Sequence, residues 1–505
     1  MLYIKELDST CLISGPSAQL LQVQEDILTL TRDKEKELLV LFDSKKVQYN
    51  STKSTLGSKS ITIAVGLLNF LLEELDAFKI EYEVERADRL PRQKVSNDLL
   101  YCSPDYITLR DYQVTSIRKA LSHRQGIFNI ATGGGKTEII IGIAKLFGTS
   151  LTIVPSKSSL KQTHKRFLKR GIKSVGRFGG GYKELGKKHT VATASMLNSR
   201  LKLGDLEVRK FLKDVKLLMF DEVHHLGTAP TWQKVAESCP ATRRYGFSGS
   251  PWASGMPCVN LTNDKQSKFA DFRVVSHVGE TLVYIPSKML REMGVLVDPR
   301  IYVISVSRPQ GLRNNPFPRW KWVYKRGIID NQHRNTLIAD ASLKLFERGH
   351  RTTILVVSIP HGKELLKMLH ERGLKAAFSK GDDEVFVYDG KKIRSVKEAG
   401  ENYRDSFLNE GVDVLIGSVV MDEAVDLPGM SALILAGGMK SPIRAVQRVG
   451  RAIRTSDGKD EAIILDFRDK QHYFLSNHTN QRCKIYDAHE YVHEEVEWDE
   501  LWGLV

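Results

Sequence analysis

The sequence predicts an α/β protein in which two parallel-sheet lobes stand in tandem behind a small α+β N-terminal domain. Three observations predict this. Short, continuous apolar runs recur between about residues 104 and 298 and again between 300 and 485, each closed by turn or polar residues, as the strands of a sheet buried on both faces do. A glycine-rich loop ending at Lys136 and the carboxylate pair Asp221-Glu222 each follow one of these runs, at the strand end where such sheets bind ligands. The chain of 505 residues is also too long for one hydrophobic core, so roughly two to four domains are expected.

Residues 1–98 form the first block. Strand-like pieces at Glu37–Phe42 and Lys79–Val84 alternate with helical ones at Ala18–Thr31 and Val65–Ala77, which suggests a small α+β module. Arg86–Ser103 is polar and carries Pro91, with Pro104 just beyond, and reads as a linker. The first lobe is placed at residues 99–299, with strands at Gly126–Ile130, Leu151–Val154, Thr190–Thr193, Leu217–Phe220 and Arg244–Phe247. The second is placed at residues 300–485, with strands at Thr353–Val357, Val412–Ile416, Ala432–Leu435 and Ala462–Leu465. Gly381–Gly400 is charged and without clear period, and is expected to be a surface insertion. Residues 486–505 are expected to be an acidic, solvated tail despite Trp498 and Trp502, because Asp487–Val505 holds seven acids and no Lys or Arg.

Hydrophobic content of 41% and charged content of 27% are those of an ordinary globular protein, but a net charge of +15 favours a polyanionic partner. No apolar run approaches the roughly 20 residues that span a bilayer, and Met1–Asp8 lacks the apolar core of a signal peptide. The five cysteines are scattered and form no CxxC pair, so neither a zinc site nor a disulfide framework is indicated. A cytoplasmic setting without a membrane partner follows.

The chemistry is carried by short motifs. The segment Ile130-Ala-Thr132-Gly133-Gly134-Gly135-Lys136-Thr137 leaves a strand and opens a helix. A triphosphate needs closely spaced backbone N–H donors and a helix N-terminus aimed at it, and glycine lets the backbone come close. Lys136 then pairs with the β- and γ-phosphates of ATP, and the Thr137 hydroxyl binds Mg²⁺. The strict form of this loop wants glycine where Ile130 stands. Asp221 suits a Mg²⁺ partner, and Glu222 suits a group that orients or deprotonates the attacking water. His224 and His225 bring no further ligands and so indicate no separate metal site. Ser248-Gly-Ser250-Pro251 follows another strand and suits a link between phosphate sensing and a second surface. In Gln447-Arg448-Val-Gly450-Arg451-Ala-Ile-Arg454, Arg451 and Arg454 share one face if helical. From there they could stabilise charge on a transferring phosphoryl group.

In this order the motifs resemble those of superfamily 2 helicases and translocases. The resemblance runs from about Thr108 to Asp466 and implies two RecA-like lobes with ATP between them. It implies that Leu109-Arg110-Asp-Tyr112-Gln113 recognises adenine, with Arg110 and Gln113 at the nucleotide. It also implies that Asp426 (in Glu423–Pro428) and Gln447 contact the nucleotide. Pro155, Ser156, Thr193 and Ser418 match the nucleic-acid-contacting motifs, although Ser418 stands where threonine is usual and Ala424 where glycine is. Asp221-Glu-Val-His224 and Glu423–Pro428 are closer to XPB-like DNA translocases than to DEAD-box RNA helicases. The small N-terminal module is similar to that of phage branch-migration helicases of the UvsW type. A DNA motor of recombination, repair or replication is therefore expected, in bacterial or phage-infected host cytoplasm. An RNA motor and a nucleotide-gated DNA-binding module are the alternatives.

Two basic stretches are candidates for the nucleic-acid face. Ser150–Lys183 holds nine Lys and Arg and no acid, with Lys161, Lys165, Arg166, Lys169 and Arg170 on a predicted helix suited to phosphates. Between Pro299 and Ile329, again without acids, cations alternate with Phe317, Trp320, Trp322 and Tyr324. Such a segment either stacks bases or packs its aromatics inside the protein.

Overall fold

The computed structural model describes residues 1–6, 10–16, 19–20, 59–85, 108–253, 269–306, 319–380, 384–397, 411–418, 430–438, 449–450, 452–453 and 461–505. The predicted strand Glu37–Phe42, the linker Arg86–Ser103 and most of the predicted helix Ala18–Thr31 lie outside the described residues, as do Asp426, Gln447, Arg451 and Arg454. The chain forms two compact units. One comprises Met1–Ile130, Gly135–Ser254 and Cys258–Tyr284; the other comprises Ala131–Gly134, Gly255–Pro257 and Ile285–Val505.

The first unit holds two sheets. The larger has eight strands in the order Thr281–Ile285, Gln125–Ile130, Arg243–Ser248, Leu217–Asp221, Ser150–Val154, His189–Thr193, Val175–Gly179 and Tyr182–Lys183. Its central pairings are parallel. All five predicted strands are present within a residue or two of their expected ends. Their legibility has a physical cause: helices cover both faces, so Leu217–Phe220 and Leu151–Val154 are buried throughout. The centre of this sheet is aromatic, with Phe128 and Phe247 stacked at 4.8 Å.

The smaller sheet runs Lys59–Ala64, Thr10–Gly15, Leu2–Glu6, Tyr82–Glu85. A helix, Leu68–Ala77, packs on it through Leu68, Leu71 and Leu75. This N-terminal layer shares its core with the larger sheet's covering helix Phe269–Val278, whose Val274, Val275 and Val278 join the same apolar cluster as Leu2 and Ile4. Gly66 permits that closeness, since a Cβ there would lie 2.0 Å from the Val275 carbonyl oxygen. Phe70 meets Phe272 edge-on at 5.3 Å, and Asn69 donates to Glu280 at 3.1 Å.

The second unit is built on nine strands in the order Ile393–Lys397, Glu384–Tyr388, Ala376–Ser379, Val414–Gly417, Thr352–Leu355, Ala432–Ile434, Glu461–Asp469, Asp298–Val306 and His493–Val496. The charged stretch Gly381–Gly400, expected as a surface insertion, holds strands Glu384–Tyr388 and Ile393–Lys397, an antiparallel hairpin that extends the sheet at its exposed edge. One expectation is corrected. Residues 486–505 are not a solvated tail. His493–Val496 pairs in parallel with Asp298–Val306, and the helix Trp498–Leu504 buries Leu501 in the unit's core. Two of the seven acids, Glu494 and Glu495, stand on this edge strand, and Glu495 meets cations there: it lies 2.7 Å from Arg468 and 3.1 Å from Lys470. Trp498 and Trp502 pack against the core, with Lys344 Nζ 4.7 Å from the Trp502 ring centre. Among the described residues, no helix is long and apolar enough to cross a membrane.

Candidate functional site

Three adjacent parallel strands deliver the first unit's motifs to one sheet edge. Gln125–Ile130 leads into the glycine loop, Arg243–Ser248 ends on Ser248, and Leu217–Asp221 ends on Asp221. Pairing of Ser248 with Asn129 and of Asp221 with Phe247 sets the three carboxyl ends level, so residues far apart in sequence become neighbours.

In the loop, Gly133 and Gly135 take left-handed φ angles of 90° and 75°, which side chains resist. The Gly134 N–H donates to Ala131 O at 3.0 Å. Gly135 caps the helix Lys136–Leu146, its carbonyl accepting the Glu138 N–H at 3.0 Å, and a helix N-terminus opening on such a loop suits an anion. Gln113 fills the space beside this cap. A Cβ at residue 135 would lie 2.3 Å from its Nε2, while its Oε1 accepts the Arg110 N–H at 2.9 Å. The predicted base-recognition residue is thus buried against the predicted phosphate loop, while the Arg110 side chain is exposed.

Burial and the neighbouring Glu222 charge raise the proton affinity of Asp221, against the pull of Lys136. This is a carboxylate short of positive charge, and it fits a site that a divalent cation completes. Glu222 adopts φ of 58°, uncommon for a residue with a side chain. Its carboxylate is held from the next strand, where Ser248 Oγ donates to Oε2 at 3.0 Å. His224 Nδ1 lies 3.3 Å from the same Ser248 Oγ and 3.5 Å from Glu222 Oε2. Ser248 Oγ also accepts the Ser250 N–H at 3.1 Å. The serine motif therefore grips Glu222 directly. His225 stacks on Trp232 at 4.8 Å, and no cluster of metal-ligating side chains occurs among the described residues.

The nucleic-acid candidates divide. Strands Ser150–Val154 and His189–Thr193 pair with Val154 opposite Thr193, so the Pro155-Ser156 and Thr193 segments leave neighbouring strand ends. Thr193 is buried; Pro155 and Ser156 are half-buried. Ser156 caps the helix Lys157–Lys169 by accepting the Ser159 N–H at 3.0 Å. On that helix Lys157, Lys161, Lys165 and Lys169 are all exposed, and their four-residue spacing puts them along one face. Arg170 is corrected: it is buried and makes two bonds to Glu138, at 2.8 and 3.0 Å, so it ties the helix behind the glycine loop to the lysine-bearing element. Nothing in the sequence signalled that pair. In the second unit Ser418 is buried. Trp322 is exposed, but Trp320 packs inward against His478 at 4.6 Å and Tyr324 at 5.5 Å.

Comparison with known proteins follows the same division. Residues 106–252 match the family described as type III restriction enzyme, res subunit, and residues 337–456 match the helicase conserved C-terminal domain. The DNA 3'-5' translocase XPB2 of Sulfurisphaera tokodaii is 26% identical over 416 residues, spanning 78% of this chain and 87% of that protein. The ATP-dependent DNA helicase uvsW of Enterobacteria phage T4 is 21% identical over 370 residues, spanning 71% and 68%. Among solved structures, Saccharomyces cerevisiae Dbp5 bound to RNA and ADP BeF3 has a TM-score of 0.55 at 13% identity, covering 81% of this chain and 97% of that one. That likeness shows a shared fold.

Proposed function

We infer from its membership of the superfamily 2 helicases that the chain is an ATP-driven DNA helicase or translocase, acting on duplex or branched DNA. The observation that best supports the site is the convergence of Asp221, Glu222 and Ser248 at one sheet edge. Lys136 and the loop N–H groups hold the β- and γ-phosphates. Thr137 and Asp221 would hold Mg²⁺, which when bound offsets phosphate charge. Glu222 orients the attacking water and takes its proton, with Ser248 and His224 fixing the carboxylate's direction. Arg451 and Arg454 supply guanidinium groups to the transferring phosphoryl group. Arg110, Gln113, Asp426 and Gln447 complete the nucleotide contacts.

DNA is held through its phosphates by the lysine face of Lys157–Lys169, with Pro155, Ser156, Thr193 and Ser418 as motif contacts and Trp322 as an exposed stacking group. Movement is proposed to run 3′ to 5′, the polarity in the name of the translocase relative. Steady-state ATP hydrolysis should be measured without nucleic acid and with single-stranded DNA, duplex, a four-way junction and RNA at one fixed salt. DNA should stimulate most, and stimulation by RNA alone would overturn the substrate assignment. Glu222→Gln should lower turnover at least about 100-fold with ATP affinity and DNA binding retained. Full turnover in that variant would refute the site.

A further inference from the structure

Beyond the nucleotide motifs, the second unit holds a short basic and aromatic segment with two different sides. It begins as the helix Trp320–Tyr324 and continues as one π-type turn over Lys325–Ile329, a local irregularity common at functional positions. Lys321, Trp322, Lys325 and Arg326 are exposed, whereas Val323, Gly327 and Ile328 are buried.

The buried side bears on the loop Ala436–Gly438, which follows the strand Ala432–Ile434. Tyr324 Oη donates to Gly437 O at 3.0 Å. Arg334 Nη1 donates to Ala436 O at 2.8 Å, and His478 Nδ1 lies 3.4 Å from Gly438 O. Three successive carbonyls are thus engaged by three side chains. Gly438 has a left-handed φ of 59°, and Ile328 Cδ1 sits 2.8 Å from where its Cβ would stand. Trp320 braces the arrangement from behind, 4.6 Å from His478 and 5.5 Å from Tyr324. In sequence this loop leads toward Arg451 and Arg454. At the far end of that stretch Val449, Ala452 and Ile453 are buried, and the Ile453 carbonyl accepts the Val297 N–H at 2.8 Å.

We propose that Trp320–Ile329 is a positioning relay: its exposed cations and Trp322 meet a DNA strand, and its buried side, through Tyr324 and Ile328, sets the loop from which the arginine segment departs. The relay rests on the ATP-driven DNA motor proposed above. Arginines that act on the transferring phosphoryl group contribute most in the transition state, so disturbing their approach lowers kcat rather than raising KM.

The test compares wild type with Tyr324→Phe, which removes the hydroxyl donated to Gly437 and keeps the ring. ATP hydrolysis is followed at saturating single-stranded DNA, alongside KM for ATP, DNA Kd and a thermal melt. The relay predicts kcat reduced about three- to tenfold, the scale of one lost hydrogen bond, with KM and Kd within twofold. Trp322→Ala should raise the DNA Kd at least about threefold, the scale of one lost stacked base, and an unchanged Kd would remove this segment from the DNA face and overturn the relay. Unchanged kcat in Tyr324→Phe, or a loss that saturating DNA restores, overturns the relay. Should Tyr324→Phe melt below the assay temperature, His478→Gln carries the same comparison. If wild type itself shows no DNA-stimulated hydrolysis, the motor reading fails instead, which separates the two.

Discussion

Replacing Gly135 with alanine would set a methyl carbon 2.3 Å from Gln113 Nε2, at a backbone φ of 75°. Two costs follow. Holding a side-chain-bearing residue in the left-handed region costs about 1–2 kcal/mol. Moving the Gln113 amide away also breaks its bond to the Arg110 N–H, seen at 2.9 Å, for about 1 kcal/mol. The loop escapes both by leaving the geometry that presents its N–H groups, so the loss should fall on nucleotide binding. A total of about 2–3 kcal/mol corresponds to ATP affinity weaker by about 30- to 150-fold. Titration of a fluorescent ATP analogue measures this, with circular dichroism to confirm that the fold is retained. The reasoning is sharpened by Gln113→Ala. In that background the clash is gone and only the backbone cost remains, so Gly135→Ala should lose about fivefold less affinity than in wild type. A Gly135→Ala Kd within threefold of wild type would refute the argument, as would strictly additive effects of the two substitutions.

Other expectations follow from the same structure. Arg170→Met leaves the half-buried Glu138 carboxylate without its two-bond partner, with Arg166 remaining at 3.7 Å, and should destabilise the protein by about 2 kcal/mol; the urea midpoint should recover in the double variant with Glu138→Gln. Burial pushes His189 and His277 down to about 4 and His361 down to about 3, below the unfolded value near 6.5. The unfolded chain therefore binds more protons, and stability is complete above about pH 6.5 and declines as pH falls toward those folded values, by about 2 kcal/mol per histidine at pH 5. Denaturant unfolding at pH 7 and 5 should show this loss, and His361→Gln should remove one histidine's share. Lys161→Ala with Lys165→Ala should make the log–log salt dependence of single-strand binding shallower by about 1.4, or about 0.7 per phosphate contact; an unchanged slope would remove that helix from the DNA face.

Elements buried on both faces were legible from the amino-acid order, because a parallel strand between helix layers must be apolar along its whole length. Leu217–Phe220 and Leu151–Val154 are the clearest cases. The hairpin Glu384–Lys397 carried a readable signal in Asp389-Gly390, a turn-forming pair between two β-branched runs, which the density of charge around it obscured. The edge strand His493–Val496 was harder, since its acids read as a solvated end until the basic residues across the edge are known.

By itself, then, the sequence determined the α/β class, the central strands and the place of the glycine loop, Asp221-Glu222 and Ser248 at strand ends, because local periodicity and loop composition are properties of contiguous residues. Only the tertiary structure decided that Ser248 grips Glu222, that Arg170 is consumed by Glu138, that Gln113 lies on Gly135 and that Trp320 turns inward. Each is a contact between residues well separated along the chain, set by strand register, burial and left-handed backbone, none of which leaves a local mark. The five-residue helix at Trp320–Tyr324 is too short for a period to say which face is buried; that direction is chosen by the packing of Val323 with Ile328 and Leu475.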